Sequence, residues 1–465
     1  MNQIYSLEKP SAFNTSVGKN CYFRGKQSDE ASEVNLDHYY QLLASVTSPE
    51  LANYILQGID SNSGKDYSSS FAPEIRDTFW SSHFQCRLEW SGGSPTIYKL
   101  NDEYDLIHNG YVEVCFPKVW LKEQYHETHR ISLTPYWGFA VIDKVRVKSE
   151  KVVIYSNDRY GVEFVHCYMR DHAFSKELEY DAGCDSESNS LQTSISAKRR
   201  CVPLHLFYSL LAGSAFPVYK LKNFEHHMSF SLSIKNLLRI HKFEDGKWVS
   251  DKFDADKIEG LPSDLNLPTP NFYAELNSLT PEEKEYIHDP QAIYYVDDIV
   301  SIQSPEAKPL GSQINLKLTT NGLLCRSIFG AALNVTGIAG NNHFNFTDKA
   351  DGTGKTPIEY ISLIYGNNIT KKIDRFHISH FKSGCVSKHY RSSPENEGHF
   401  AIALDKSSWI PGSGSGIQPE YILAEILIEL RTPEPEDEDC NYVIQLRLRV
   451  GKPINISSKG TVSII

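Results

Sequence analysis

Gly138-Phe-Ala-Val-Ile-Asp-Lys-Val-Arg-Val-Lys148 and Pro357-Ile-Glu-Tyr-Ile-Ser-Leu-Ile-Tyr365 read as two statements of one pattern. Both are alternating segments, and each runs into a further short piece: the strand Lys151–Tyr155 in the first case, Gly366-Asn-Asn368 in the second. Successive side chains of a strand point to opposite faces, so period-2 patterning describes strands with one face on a core. Each segment is followed by two more alternating strands separated by a loop. These are Phe224–Ile234 with Asn271–Leu279, and Tyr421–Leu430 with Cys440–Val450. Two such sets in one chain predict two β-sandwiches of similar build.

Composition agrees. The chain has 465 residues, too many for one hydrophobic core and enough for two or three. Its 26 Tyr and 22 Phe suit pleated, half-buried strands. Lys and Arg total 47 against 58 Asp and Glu, a net charge of −11, which is the wrong sign for coating nucleic acid by phosphate neutralisation. The nine Cys show no C-x-x-C pair, so they read as reduced, mostly buried thiols rather than a zinc or redox motif. The first residues lack the basic and apolar regions of a signal peptide, and no apolar run is long enough to span a bilayer. Sequons at Asn14, Asn334, Asn345, Asn368 and Asn455 therefore read as loop asparagines rather than glycan sites.

Three regions follow along the chain. Residues 1–70 form an N-terminal arm: Val34–Ile59 has helical apolar spacing broken at Ser48-Pro49-Glu50, and Ser61–Ser70 reads as a linker. Residues 71–280 make the first β-domain, with strands at Phe79–Trp90 and Gly110–Phe116. A short helix starts at Asp158 and carries Tyr160, Phe164 and Tyr168 on one stripe. Thr280-Pro-Glu-Glu is a helix start that marks the junction, and residues 281–465 make the second domain. The stretches 175–200, 241–270 and 336–356 read as long exposed loops, and Pro433-Glu-Pro-Glu-Asp-Glu-Asp439 as an acidic, solvent-facing hairpin loop joining the last two strands.

Catalytic motifs are imitated but not met. Gly352-Thr-Gly-Lys-Thr356 resembles the end of a phosphate loop. However, Lys349 stands where that motif needs Gly, and Pro357 leads into a strand rather than a helix. His126-Glu-Thr-His129 is one residue short of the spacing that puts two His on one helical face. His226 and His227 are neighbours in a strand and point to opposite faces. Gly412–Gly416 lacks the order of a nucleophile elbow. The expectation is a non-enzyme with no catalytic, cofactor or metal residues.

The order of these segments resembles the double jelly-roll major capsid proteins of nucleo-cytoplasmic large DNA viruses, including the chlorella-virus and iridovirus lineages. The likeness rests on Asp105–Lys118, on Phe139–Ile154 with Tyr160–Phe164, on Cys201–Phe207 with Ala215–Phe230, on Phe272–Tyr286, and on Pro357–Asn367. It continues through His399–Lys406 and Pro411-Gly-Ser-Gly414. It covers about residues 71–465, in order. Residues 1–70 have no counterpart and the family's signature before its first strand is absent, which marks a divergent branch or paralogue. Glu74-Ile-Arg-Asp77 also resembles the related poxvirus scaffold protein, which makes a scaffold-like assembly protein the alternative within this lineage. The resemblance implies an all-β chain of two tandem eight-stranded jelly rolls with short inserted helices. It implies a homotrimer of pseudo-hexameric outline that tiles an icosahedral capsid in the virion, assembled in the host cytoplasm. Implied partners are neighbouring capsomers and minor capsid or penton proteins, with host contact through outward loops. No direct nucleic-acid contact is implied, and only an indirect one to an inner membrane. Rival readings from other classes are a tandem β-sandwich glycan hydrolase, which would need paired carboxylates in a cleft, and a pair of carbohydrate-binding modules.

Overall fold

The computed structural model describes residues 83–91, 93–100, 104–169, 190–209, 215–281, 284, 293–338, 340–366, 368–375, 377–378, 398–404 and 416–465. The expected N-terminal arm, the stretch 175–189 and most of Gly412–Gly416 lie outside these residues.

The chain is all-β, with two jelly rolls in tandem. In the first half the eight main sandwich strands, in chain order, are His83–Arg87, Thr96–Lys99, Leu106–Phe116, Ile142–Ser149, Val152–Asp158, Lys198–Pro203, Phe224–Phe230 and Asn271–Asn277. One antiparallel sheet takes the first, eighth, third and sixth of these, side by side, and the facing sheet takes the second, seventh, fourth and fifth. In the second half the eight main strands are Ile293–Gln303, Gln313–Lys317, Leu324–Asn334, Ile358–Tyr365, Asn368–Asp374, His399–Ala403, Ala424–Leu430 and Asn441–Ile456. Their order is again first-eighth-third-sixth and second-seventh-fourth-fifth. The repetition legible in the sequence is thus a repetition of topology.

Several local expectations change. Alternation at 138–148 starts only at Ile142, because Trp137–Ala140 is a helical turn with all four residues buried. The strand pairs 224/271 and 424/441 are not paired with each other: each crosses from one sheet of its sandwich to the other. The acidic segment 433–439 is consequently a crossover between sheets rather than a hairpin loop. Within the described part of the stretch read as an exposed loop, Ser194–Ile195 already pairs with Val119–Trp120, and a longer strand begins at Lys198, where Lys198 and Arg200 are buried against the third strand. Within 241–270, Asp245 and Gly246 take positive φ and turn a hairpin of Leu238–Glu244 with Lys247–Asp251, laid against His129–Leu133.

Two large cores result, beside a small cluster of Leu106, Ala215 and Leu279, and the large ones are not one per half. The second core is confined to the second roll, where Tyr442, Ile444, Leu446, Leu448 and Val450 of the last strand meet Ile361, Leu363, Ile426 and Ile428 of the facing sheet. The first core fills the first roll and continues into the second half through Tyr294, Val296, Phe329, Phe344, Phe346 and Ile454. The sheet that contains Asn441–Ile456 is therefore covered on both faces, by its own sister sheet and by the first roll. That covering explains why Asn441–Ile456 is buried along an unbroken run although its sequence alternates.

Candidate functional site

Polar residues of that long strand line the seam between the rolls, Gln445, Arg447 and Arg449 at one strand parity and Lys452 at the other. Gln445, Arg447, Arg449 and Lys452 are each less than 7% exposed, and each cation has an acidic partner. Arg447 grips Asp158 with two hydrogen bonds, Nε to Oδ1 at 2.9 Å and Nη2 to Oδ2 at 2.8 Å. Asp297 accepts from Arg326 at 2.9 Å and from Arg449. Lys452 pairs with Asp298. Burial alone pushes the Asp158 carboxyl up, but the charge and hydrogen bonds of Arg447 outweigh it and hold the group below its ordinary value. At Asp298 burial wins over Lys452, and the carboxyl lies above its ordinary value.

These charges also solve an edge problem. Val152–Asp158 is the last strand of its sheet, and an edge strand presents unpaired backbone groups. Asp298 accepts the Ser156 N–H at 2.7 Å, and Lys452 donates to the carbonyls of Val153 at 3.4 Å and Ile154 at 3.1 Å. Side chains of the second roll thereby take the place of a neighbouring strand.

Helix Arg159–Met169 follows the edge strand directly and faces the same seam. Asp158 caps it, accepting the Gly161 N–H at 2.9 Å, so one carboxylate both starts the helix and anchors Arg447. The stripe of Tyr160, Phe164 and Tyr168 lands on the second half. Tyr160 meets Phe344 edge-on at 5.8 Å, Phe164 lies 5.9 Å from Phe346, and Tyr168 stacks on Phe329 at 5.1 Å. One turn apart on the helix, Glu163 and Cys167 meet His399 from the second roll. Cys167 Sγ lies 3.2 Å from Glu163 Oε1, and His399 Nε2 lies 3.2 Å from Glu163 Oε2. The last pair is close but misaligned for a hydrogen bond, so Glu163 Oε2 and both ring nitrogens of His399 are buried without a hydrogen-bond partner.

No protein-family model matches the chain, and no curated protein matches it in sequence. Solved structures do. The Faustovirus major capsid protein matches with a TM-score of 0.62 at 7% identity, over 90% of this chain and 97% of that one. The PBCV-1 virus capsid matches at 0.60 and 12% identity, over 82% and 96%. The Sputnik virophage particle matches at 0.53 and 6% identity, over 83% and 88%. The chain has the fold of viral major capsid proteins. At such identities the likeness is one of fold.

Within this double jelly roll the described motifs singled out in the sequence make contacts inside the fold. His126 contacts the Leu121 carbonyl at 2.9 Å, while His129 contacts Thr128 at 2.8 Å and lies 3.6 Å from Asp251. His226 is buried against the Tyr208 hydroxyl at 2.6 Å and His227 turns to Glu225 at 2.9 Å. Gly352–Thr356 is a turn in which Asp351 accepts the Thr353 N–H at 2.8 Å and Gly352 has φ +88°. The stretch 336–356 is only partly an outward loop: Asp351–Thr353 and Lys355 are exposed, but Asn342–Thr347 are buried. Phe344 and Phe346 are buried in the first core, and Asn341 donates to the carbonyl of Leu238 at 2.8 Å. Asn334 and Asn345 are buried and donate to the carbonyls of Thr347 at 3.1 Å and Lys349 at 2.7 Å, so neither is open to glycosylation in the folded chain. In the acidic crossover, Asp437 is held by Arg431, which also grips Asp348 at 2.9 Å. Sequence reading missed the Glu163–Cys167–His399 cluster and the charged seam. The available signal was the i, i+4 spacing of Glu163 and Cys167; what it lacked was the distant His399.

Proposed function

We propose that the chain is a structural capsid protein of an icosahedral virus infecting eukaryotes, a non-enzyme that works as a homotrimer. The carrying observation is the repeated strand order in two rolls locked by one buried seam. Three copies of a rigid two-roll unit present six similar lobes around a three-fold axis, which suits a pseudo-hexagonal tile. Neighbouring capsomers and minor or penton proteins are the partners this reading implies, and assembly in host cytoplasm its setting. Tyr421, Leu423 and Ile369 are 86%, 69% and 61% exposed at one end of the second roll, where the Gly366 N–H bonds the Ile422 carbonyl. Large apolar side chains this open suit a subunit contact.

Sedimentation of the purified chain tests the reading. Three 52.7 kDa copies should run at about 158 kDa. Tyr421→Glu with Leu423→Glu should shift the protein toward monomer at unchanged melting temperature. A wild-type protein that stays monomeric at micromolar concentration, in low and high salt, contradicts the proposal.

A further inference from the structure

Among the described residues, Glu163, Cys167 and His399 are the group whose ligand atoms converge, all within 4.8 Å of one another, and each residue is buried. We propose that they form a structural zinc-class metal site that clamps the helix of the first roll to the sixth strand of the second. Zinc takes Cys sulfur at about 2.3 Å and His nitrogen at about 2.0–2.1 Å. Two nitrogen or oxygen ligands of one tetrahedral ion therefore sit about 3.3 Å apart. Glu163 Oε2 and His399 Nε2 are 3.2 Å apart, in contact but without hydrogen-bond alignment, which is how two ligands of one ion approach each other.

The carboxylate lies between the other two ligands, with Oε1 toward Cys167 and Oε2 toward His399. A bidentate Glu163, a Cys167 thiolate and a neutral His399 supply four donor atoms, so the ion needs no water in a site sealed from solvent. Charge settles the choice of metal class. A divalent ion with one thiolate, one carboxylate and one neutral imidazole is neutral overall. That matters here, because the site is walled by aromatic rings: Phe346 at 4.7 Å, Phe164 at 5.0 Å and Tyr168 at 6.3 Å from the His399 ring. A net charge buried among such rings is costly, and an unpaired carboxylate more so. The thiolate favours zinc over magnesium or calcium, which take oxygen ligands. Loading releases the Cys167 proton to solvent; no redox step is involved.

The test uses the full-length protein after gel filtration. Elemental analysis should find one zinc per chain. Chelator-treated protein should take up one Co²⁺ with a thiolate-to-cobalt absorption band and regain the melting temperature lost on chelation. Cys167→Ala and His399→Gln should abolish uptake, while Cys115→Ala should keep it. Because the cobalt band is read on the wild-type chain, the outcome does not depend on the variants folding. Wild-type protein that takes up no Co²⁺, or gives no thiolate band, overturns the site. So does uptake that survives in Cys167→Ala.

Discussion

Lys452→Met is the sharpest probe of the seam. The ammonium it removes has an 8% exposed side chain and serves three acceptors: Asp298 and the carbonyls of Val153 and Ile154. Methionine keeps the stem's volume, so the packing change is small. What remains is a buried carboxylate without its cation, which costs about 3–5 kcal/mol. Asp298 still accepts the N–H groups of Ser156 at 2.7 Å and Ile299 at 2.9 Å, which places the expectation near the lower bound, about 3 kcal/mol. Asp298→Asn strands the ammonium instead. The double variant removes both charges and should cost less than the sum of the singles by about 2 kcal/mol. Chemical denaturation of the four proteins gives the cycle, and hydrogen exchange at the Ser156 amide reports the seam locally. The Lys452→Met defect should also ease on acidification, because the Asp298 carboxyl already lies above its ordinary value and loses its cation. Single-variant costs that add to within about 0.5 kcal/mol would refute the coupling.

Four further outcomes follow from local contacts. His226 is lowered to about 3, and His205 and His241 to about 4, chiefly by burial, from an ordinary 6.5. The unfolded chain thus binds more protons than the folded one below pH 6.5, so each histidine should remove about 1.4 kcal/mol of stability per pH unit on acidification toward pH 4. Denaturation midpoints that stay level across that window would contradict it, and His226→Gln should flatten the slope. Gly330→Ala places a Cβ 2.2 Å from the Phe400 ring across the paired strands, and should cost about 1–3 kcal/mol, recovered in part by Phe400→Leu. In the acidic crossover, Glu434, Glu436 and Glu438 changed together to Gln should leave the melting temperature nearly unchanged with or without calcium. Arg431→Met, which frees Asp348 and Asp437, should cost about 2 kcal/mol.

The duplicated architecture was legible because period-2 alternation survives in strands such as Ala424–Leu430, buried at every second residue. The helix at 159–169 was legible for the same kind of reason: the Asp158 cap and the Tyr160-Phe164-Tyr168 stripe are local. What stayed hidden is the destination of each face. Leu446-Arg-Leu-Arg-Val450 alternates just as a strand with one wet face does, yet Arg447 and Arg449 are buried in the seam. Alternation separates two faces and does not say whether the polar one meets water or a second domain. Likewise 336–356 is rich in Gly and Asn and reads as surface, but Asn342 and Asn345 spend their amides on backbone groups. Glu163 and Cys167 gain meaning only when a sixth strand from the other roll delivers His399.

Why the rolls are joined through charge rather than by apolar surface alone follows from register. An apolar face tolerates sliding, since one Leu packs nearly as well as the next. The seam's charged contacts do not: Asp298 meets an N–H at Ser156, and Lys452 meets carbonyls at Val153 and Ile154. N–H and C=O groups alternate along an edge strand, so a shift by one residue would face the carboxylate with a carbonyl oxygen and the ammonium with N–H groups. Each mismatch leaves a buried charge unsatisfied, a penalty of several kcal/mol that an apolar seam would not impose. Arg447 on Asp158 adds a second constraint, because that carboxylate is also the helix cap and cannot move without unwinding the first turn. A lattice of repeated subunits needs every two-roll unit to have one shape, and this seam supplies that uniqueness at some expense in stability. Replacing Asp298 and Lys452 together by Leu and Met should therefore leave a protein that folds but exchanges its Ser156 amide faster and samples more than one roll-to-roll placement. A double variant with unaltered exchange and a single placement would show that the apolar contacts of Phe329, Phe344 and Phe346 set the geometry instead.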